Sequence, residues 1–71
     1  MKGFGYLVDS KIARISETYA KNNFISVAEA MALFFDSATY QALIDRETGV
    51  YLEVFEFVYE LFLEERGELT T

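Results

Sequence analysis

Four glutamates, Glu53, Glu56, Glu60 and Glu64, recur at spacings of three, four and four near the end of this 71-residue chain. Carboxylates one helical turn apart, as Glu56 and Glu60 would be, can do acid–base work when a pocket perturbs them. On an exposed helix face the same pair is simply solvated. Nucleophilic catalysis needs a base held against the nucleophile, and the usual base is histidine. The chain has neither histidine nor cysteine, which also removes the common zinc ligands. A lysine could stand in for the base only if buried, and Lys2, Lys11 and Lys21 all fall at polar or terminal positions.

Asp45-x-Glu47-x-Gly49, with Glu56 eleven residues after Asp45, echoes a calcium-binding loop. The echo breaks at the sixth position, where Val50 replaces the required glycine, and at the fifth, which lacks a side-chain oxygen. Asp45 and Thr48 read better as side chains that hydrogen-bond a turn backbone. There is no glycine-rich phosphate loop and no HExxH-like spacing. These residues describe a protein that is not an enzyme, with no catalytic residue, no cofactor and no metal site.

The elements behind these residues are helical. Val8, Ile12, Ile15 and Tyr19 recur at four, three and four, which predicts a helix over residues 6 to 21. Asn22-Asn23 is its expected stop, because asparagine tolerates the left-handed conformation. Ser26-Val27-Ala28-Glu29 is a capping box, the hydroxyl accepting from the Glu29 amide and the Glu29 carboxylate reaching back to the Ser26 amide. Val27, Ala30, Met31 and Phe34 then share a face that Leu33 and Phe35 widen. Ala28, Ala30 and Ala32 permit close approach of another helix. Asp36-Ser37 marks a break and a fresh cap, followed by a short helix to Ile44 with Tyr40, Leu43 and Ile44 inward.

Residues 45–49 form the next turn, with Gly49 suited to a positive φ. The last helix is expected from about Glu53, with Gly67 as its stop. A rival survives for residues 50–55, where Val50, Leu52 and Val54 alternate with Tyr51, Glu53 and Phe55 as in a strand. Read as a helix, the glutamates form one stripe, and Val54, Phe55, Phe57, Val58, Tyr59, Leu61, Phe62 and Leu63 spread over roughly 240°. A helix packed on one side needs an apolar stripe of little more than about 100°. This one calls for neighbours on more than one side. Phe34, Tyr40, Phe55 and Phe62 read as core. Phe57 on one edge, and Tyr59 with Leu63 on the other, are the candidates for a partner surface, where aromatic anchors are enriched.

Charge is unevenly placed. Through residue 44 four acids balance four bases; from Asp45 onward eight acids face only Arg46 and Arg66, which leaves the whole net charge of −6 there. Phosphate contact needs a basic surface, so direct nucleic-acid binding is not expected. The acidic face, Glu53, Glu56, Glu60 and Glu64, reads either as a solvated surface or as one that recruits a basic partner or mimics nucleic acid. Absence of cysteine fits a reducing compartment. No apolar stretch is long enough for a signal peptide or a membrane span. The expectation is a cytoplasmic protein that does not engage membranes.

From Leu33 onward, Leu33-Phe34, Ser37, Thr39-Tyr40, Leu43, Asp45-x-Glu47-Thr48-Gly49, Tyr51 and Tyr59-Glu60 resemble a group of short, uncharacterised bacterial helical proteins classed as a domain of unknown function. The resemblance covers roughly residues 25 to 65. It implies a small bacterial helical protein with no assigned activity, some relatives of which look like components of toxin–antitoxin or mobile-element gene neighbourhoods. Val54 and Phe55 depart from its pattern, standing where a polar cap and a smaller residue are expected.

The resulting expectation is one all-α domain over residues 1–71, orthogonal or bundle-like, of three to four short helices. In it the last helix is central and the Ser26-capped helix packs on it. A chain this short buries only about 60% of its unfolded surface, so a second chain is an attractive source of stability. Two functions follow. The first is a protein–protein interaction module that self-associates, as a homodimer, through the wide apolar face of the last helix, or else contacts another protein there, with Phe57, Tyr59 and Leu63 in or near the contact. The second is an acidic, antitoxin-like regulator that binds a basic partner.

Overall fold

Helix α1, Phe4–Asn23, is the long axis of the molecule in a computed structural model that describes residues 3–69. Its twenty residues span about 30 Å of a longest dimension of 35 Å. Val8, Ile12, Ile15 and Tyr19 form its buried stripe, joined by Ser16 and Ala20. The expected asparagine stop moves by one residue. Asn23 stays helical and donates its side-chain amide to the Tyr19 carbonyl at 2.9 Å, and it is Phe24 that turns left-handed, at φ 57° and ψ 40°. The Ile25 amide donates to the Ala20 carbonyl at 3.1 Å. This bond closes the helix as a Schellman motif and sets Ile25 against the core.

The left-handed turn sends the chain back along α1, so α2, Val27–Phe35, packs on α1. That corrects the expected packing on the last helix. Ser26 caps α2 by accepting from the Glu29 amide at 3.0 Å. The Glu29 carboxylate accepts a hydrogen bond from the Ser26 hydroxyl at 3.2 Å, where a full capping box would have it reach the Ser26 amide. Ala30 and Phe34 are buried, with Met31 and Leu33 packed beside them. Val27 and Phe35, at the two ends of the helix, overhang the core and remain exposed, as do Ala28 and Ala32.

Ser37 breaks the chain as expected, accepting from the Tyr40 amide at 3.0 Å and donating to the Phe34 carbonyl. Helix α3 follows as Ala38–Ile44. Leu43 is buried and Tyr40 half-buried; Thr39 joins them inside. Ile44, expected inward, is 39% exposed, because one residue past Leu43 is a rotation of about 100°.

The connection to the last helix is two 3-10 turns, Arg46–Thr48 and Val50–Leu52, hinged at Gly49 with φ 72°. Asp45 accepts from the Glu47 amide at 2.9 Å, and Thr48 donates to the Asp45 carbonyl at 2.9 Å, the turn chemistry that the residue types suggest. Residues 50–54 are therefore neither strand nor α-helix, and the last helix opens at Phe55. Glu53 and Val54 are extended, and α4 runs Phe55–Glu65, two residues later than expected. Val54 occupies the cap with no side chain able to accept a hydrogen bond, and the first turn is held by backbone bonds from Phe57 and Val58 to its carbonyl.

No strand forms among the described residues, and the fold is the all-α bundle of short helices expected from the periodicity. Phe62 stands at its centre, edge-on to Tyr19 and to Phe34 with both ring centroids at 5.1 Å. Centrality thus belongs to the crossing of α1 and α4, with α2 reaching α4 through Phe34.

Candidate interaction surface

Helix α4 has three sides, and each glutamate or aromatic in it takes its role from one of them. Val58 and Phe62 point into the core. On the flank beside α1, Phe55 and Tyr59 stack at 5.3 Å, Tyr59 Oη accepts from Asn22 Nδ2 at 3.2 Å, and Leu63 packs against the core. Of the three interaction candidates, Tyr59 and Leu63 thus lie half-buried on this intramolecular flank. Phe57 lies on the opposite flank and is 45% exposed. The structure does not bring the three together on one surface.

Below Phe57 on that flank is Leu61, one helical turn later. Leu61 lines a shallow groove of about 330 Å³ between α3 and α4, together with Ala38, Thr39, Ala42, Glu64 and Glu65. The groove exists because α3 presents only small side chains to it, the methyl groups of Ala38 and Ala42 a helical turn apart and Thr39 beside them. The apolar arc of α4 is therefore covered by α1 on one flank and only partly by α3 on the other.

The outward side carries Glu56, Glu60 and Glu64, all exposed. Glu53, expected on the same stripe, precedes the helix and continues the stripe only as an exposed residue of the extended entry. Among the described residues the sole ion pair is Arg66 with Glu68, at 3.0 Å. Three other bases are engaged elsewhere. Lys11 Nζ donates to the Tyr51 carbonyl at 3.0 Å, the Arg14 guanidinium sits 4.1 Å over the Phe55 ring, and that of Arg46 sits 4.5 Å over Phe4. Among the described residues no cation forms an ion pair with Glu53, Glu56, Glu60 or Glu64.

Two polar clusters that periodicity did not single out hold this surface in place. Glu65 closes one end of the groove. Its carboxylate accepts from the Ala38 amide at 2.7 Å, the Thr39 amide at 2.9 Å and the Thr39 hydroxyl at 2.8 Å. Partial burial pushes its pKa up, but these bonds outweigh it and hold the carboxyl below its ordinary value. A signal was present: Glu65 comes seven residues after Val58 and three after Phe62, so it shares their inward side.

The second cluster ties the segment after α4 to α1. Gly67, left-handed at φ 72°, turns the chain so that both Glu68 carboxylate oxygens lie 2.8 Å from the Tyr19 hydroxyl, which donates to them. Arg66 Nε donates to the same hydroxyl at 2.7 Å. Burial, and then the bond to Glu68, raise the Tyr19 pKa, while its bond to the tyrosine oxygen holds Arg66 more firmly protonated.

Among the described residues no group of acidic side chains converges as a metal site would require, and no helix is long and apolar enough to cross a membrane. No family model, curated protein or solved structure matches the chain. The surface itself has to carry the functional reading.

Proposed function

We propose that this chain is a small protein–protein interaction module whose contact surface is the outer flank of α4. The observation that carries the reading is Phe57, an aromatic residue nearly half exposed beside an apolar groove and a row of exposed glutamates that form no ion pair among the described residues. Aromatic anchors next to grooves are where binding energy concentrates in protein interfaces. A bacterial setting, which the resemblance over residues 25 to 65 suggests, and a reducing compartment, which the cysteine-free composition suits, are in keeping with this reading.

A homodimer built on this flank is the second reading. Small size and the wide apolar arc favour it, but charge opposes it. A twofold contact is self-complementary, so pairing α4 with its own copy sets one row of glutamates against another. A partner of different composition avoids that repulsion.

The test compares the wild-type chain with Phe57→Ser by sedimentation and by cross-linking in an extract of its source cells. The substitution is expected to leave helix content and melting temperature unchanged while abolishing the association. A wild-type chain that stays monomeric and cross-links the same proteins as Phe57→Ser overturns the reading.

A further inference from the structure

We infer that the groove between α3 and α4 accepts a basic amphipathic helix from a partner protein, with Phe57 and Leu61 as its apolar wall. The inference rests on the interaction reading above and names the chemistry of the partner. Three features converge on it.

The first is shape. Ala38 and Ala42 on α3 face Leu61 on α4 across a cavity of about 330 Å³, and Phe57 extends the same wall by one turn. Paired residues one turn apart on both walls match apolar side chains spaced i, i+4 on an incoming helix. The second is charge. Glu64 lines the groove and Glu60 lies one turn before it on the exposed side of α4. Neither forms an ion pair within the described residues. A lysine or arginine flanking the apolar stripe of the incoming helix completes both. The third is rigidity. Glu65, whose carboxylate is occupied by the Ala38 and Thr39 amides, pins α3 to α4, so the groove exists before any partner arrives and binding costs little ordering.

The probe is a fluorescently labelled helical peptide of roughly fourteen residues, long enough to span α4, with leucines at i, i+4 and i+7 and lysines on both flanks. A matched peptide carries glutamate in place of every lysine. Binding is followed by anisotropy and mapped by amide chemical shifts of the isotopically labelled chain. The basic peptide is expected to shift Ala42, Phe57, Leu61 and Glu64. Its affinity falls about tenfold or more between roughly 0.05 M and 0.5 M salt, and about tenfold on Phe57→Ser. The acidic peptide leaves the spectrum unchanged.

Equal binding of both peptides, shifts located away from the groove, or no binding of the basic peptide overturns the inference. If these occur while Phe57→Ser still abolishes association of the intact chain, the interaction reading stands and only the basic-helix partner is lost. A salt-resistant dimer of the wild-type chain that Phe57→Ser dissolves has the same meaning, with a second copy as the occupant.

Discussion

Glu65 and Thr39, 26 residues apart in the chain, share two hydrogen bonds: one carboxylate oxygen accepts from both the Thr39 amide, at 2.9 Å, and its hydroxyl, at 2.8 Å. The other oxygen takes the Ala38 amide. A helix of seven residues leaves its first amides without intrahelical partners, and here a residue from the end of another helix supplies two of them. Ser37 satisfies the third through Tyr40.

Replacing Glu65 by glutamine is expected to lower stability by about 1 kcal/mol, the usual worth of a cap. The pH dependence has a definite sign. The folded-state pKa lies below the ordinary 4.5, so the contribution is fully present above that value and is lost as pH falls through the folded pKa. Urea unfolding of the wild type and Glu65→Gln from neutral pH to about pH 3 checks this. The gap between the two narrows on acidification; a gap independent of pH would show that the carboxylate charge plays no part.

Tyr19, 3% exposed, is the counterpart at high pH. Its pKa is raised above 10.0 by burial and by Glu68, so folding favours the protonated phenol. That stabilisation is intact below about pH 10 and disappears as pH rises through the folded value. Of five tyrosines, one is expected to ionise late in an ultraviolet absorbance titration, and Tyr19→Phe removes that late step at a cost of about 1 kcal/mol. A titration unchanged by Tyr19→Phe refutes the assignment.

Phe24 combines a left-handed backbone with a side chain that is 95% exposed. The conformation costs an L-residue roughly 1 kcal/mol or more, a cost that glycine does not bear. Phe24→Gly is expected to stabilise the fold by about 1 kcal/mol, raising the melting temperature by roughly 4–8 °C for a chain of this length. No rise, or a fall, means that the phenyl ring makes a contact that the geometry does not reveal.

Ser16 is fully buried, and its hydroxyl has no hydrogen-bond partner among the described residues. Leaving a hydroxyl unpaired in an apolar interior costs about 1–3 kcal/mol. Ser16→Ala removes that cost along with very little volume, and a gain of about 1 kcal/mol in urea unfolding is expected. A loss would place a bound water on that hydroxyl.

Local signals in the chain are legible wherever one residue type forces one geometry. Ser26 and Ser37 cap the helices their positions announce, Gly49 and Gly67 take positive φ, and the four-three-four stripe of α1 is buried. What periodicity cannot convey is how far a neighbour reaches. Phe57 and Tyr59 look equivalent as flanks of α4, yet α1 is long enough to cover Tyr59 while α3, seven residues long and faced with alanine, leaves Phe57 open. Val54 marks another limit. The glutamate spacing runs smoothly through it, but the chain there is extended, because the preceding 3-10 turn must deliver α4 at the core. Charge tells only which third of the chain is acidic; that Arg46, Arg14, Arg66 and Lys11 are held by Phe4, Phe55, Tyr19 and the Tyr51 carbonyl is a property of the assembled fold.

The tie between Tyr19 and Glu68 joins residues 49 apart, and its consequence is kinetic. A bond across so long a loop waits for α1 and α4 to approach, so it is expected to form late in folding. Loosening it therefore leaves the folding rate nearly unchanged and accelerates unfolding. A bond formed last in this way governs how long each folded molecule survives.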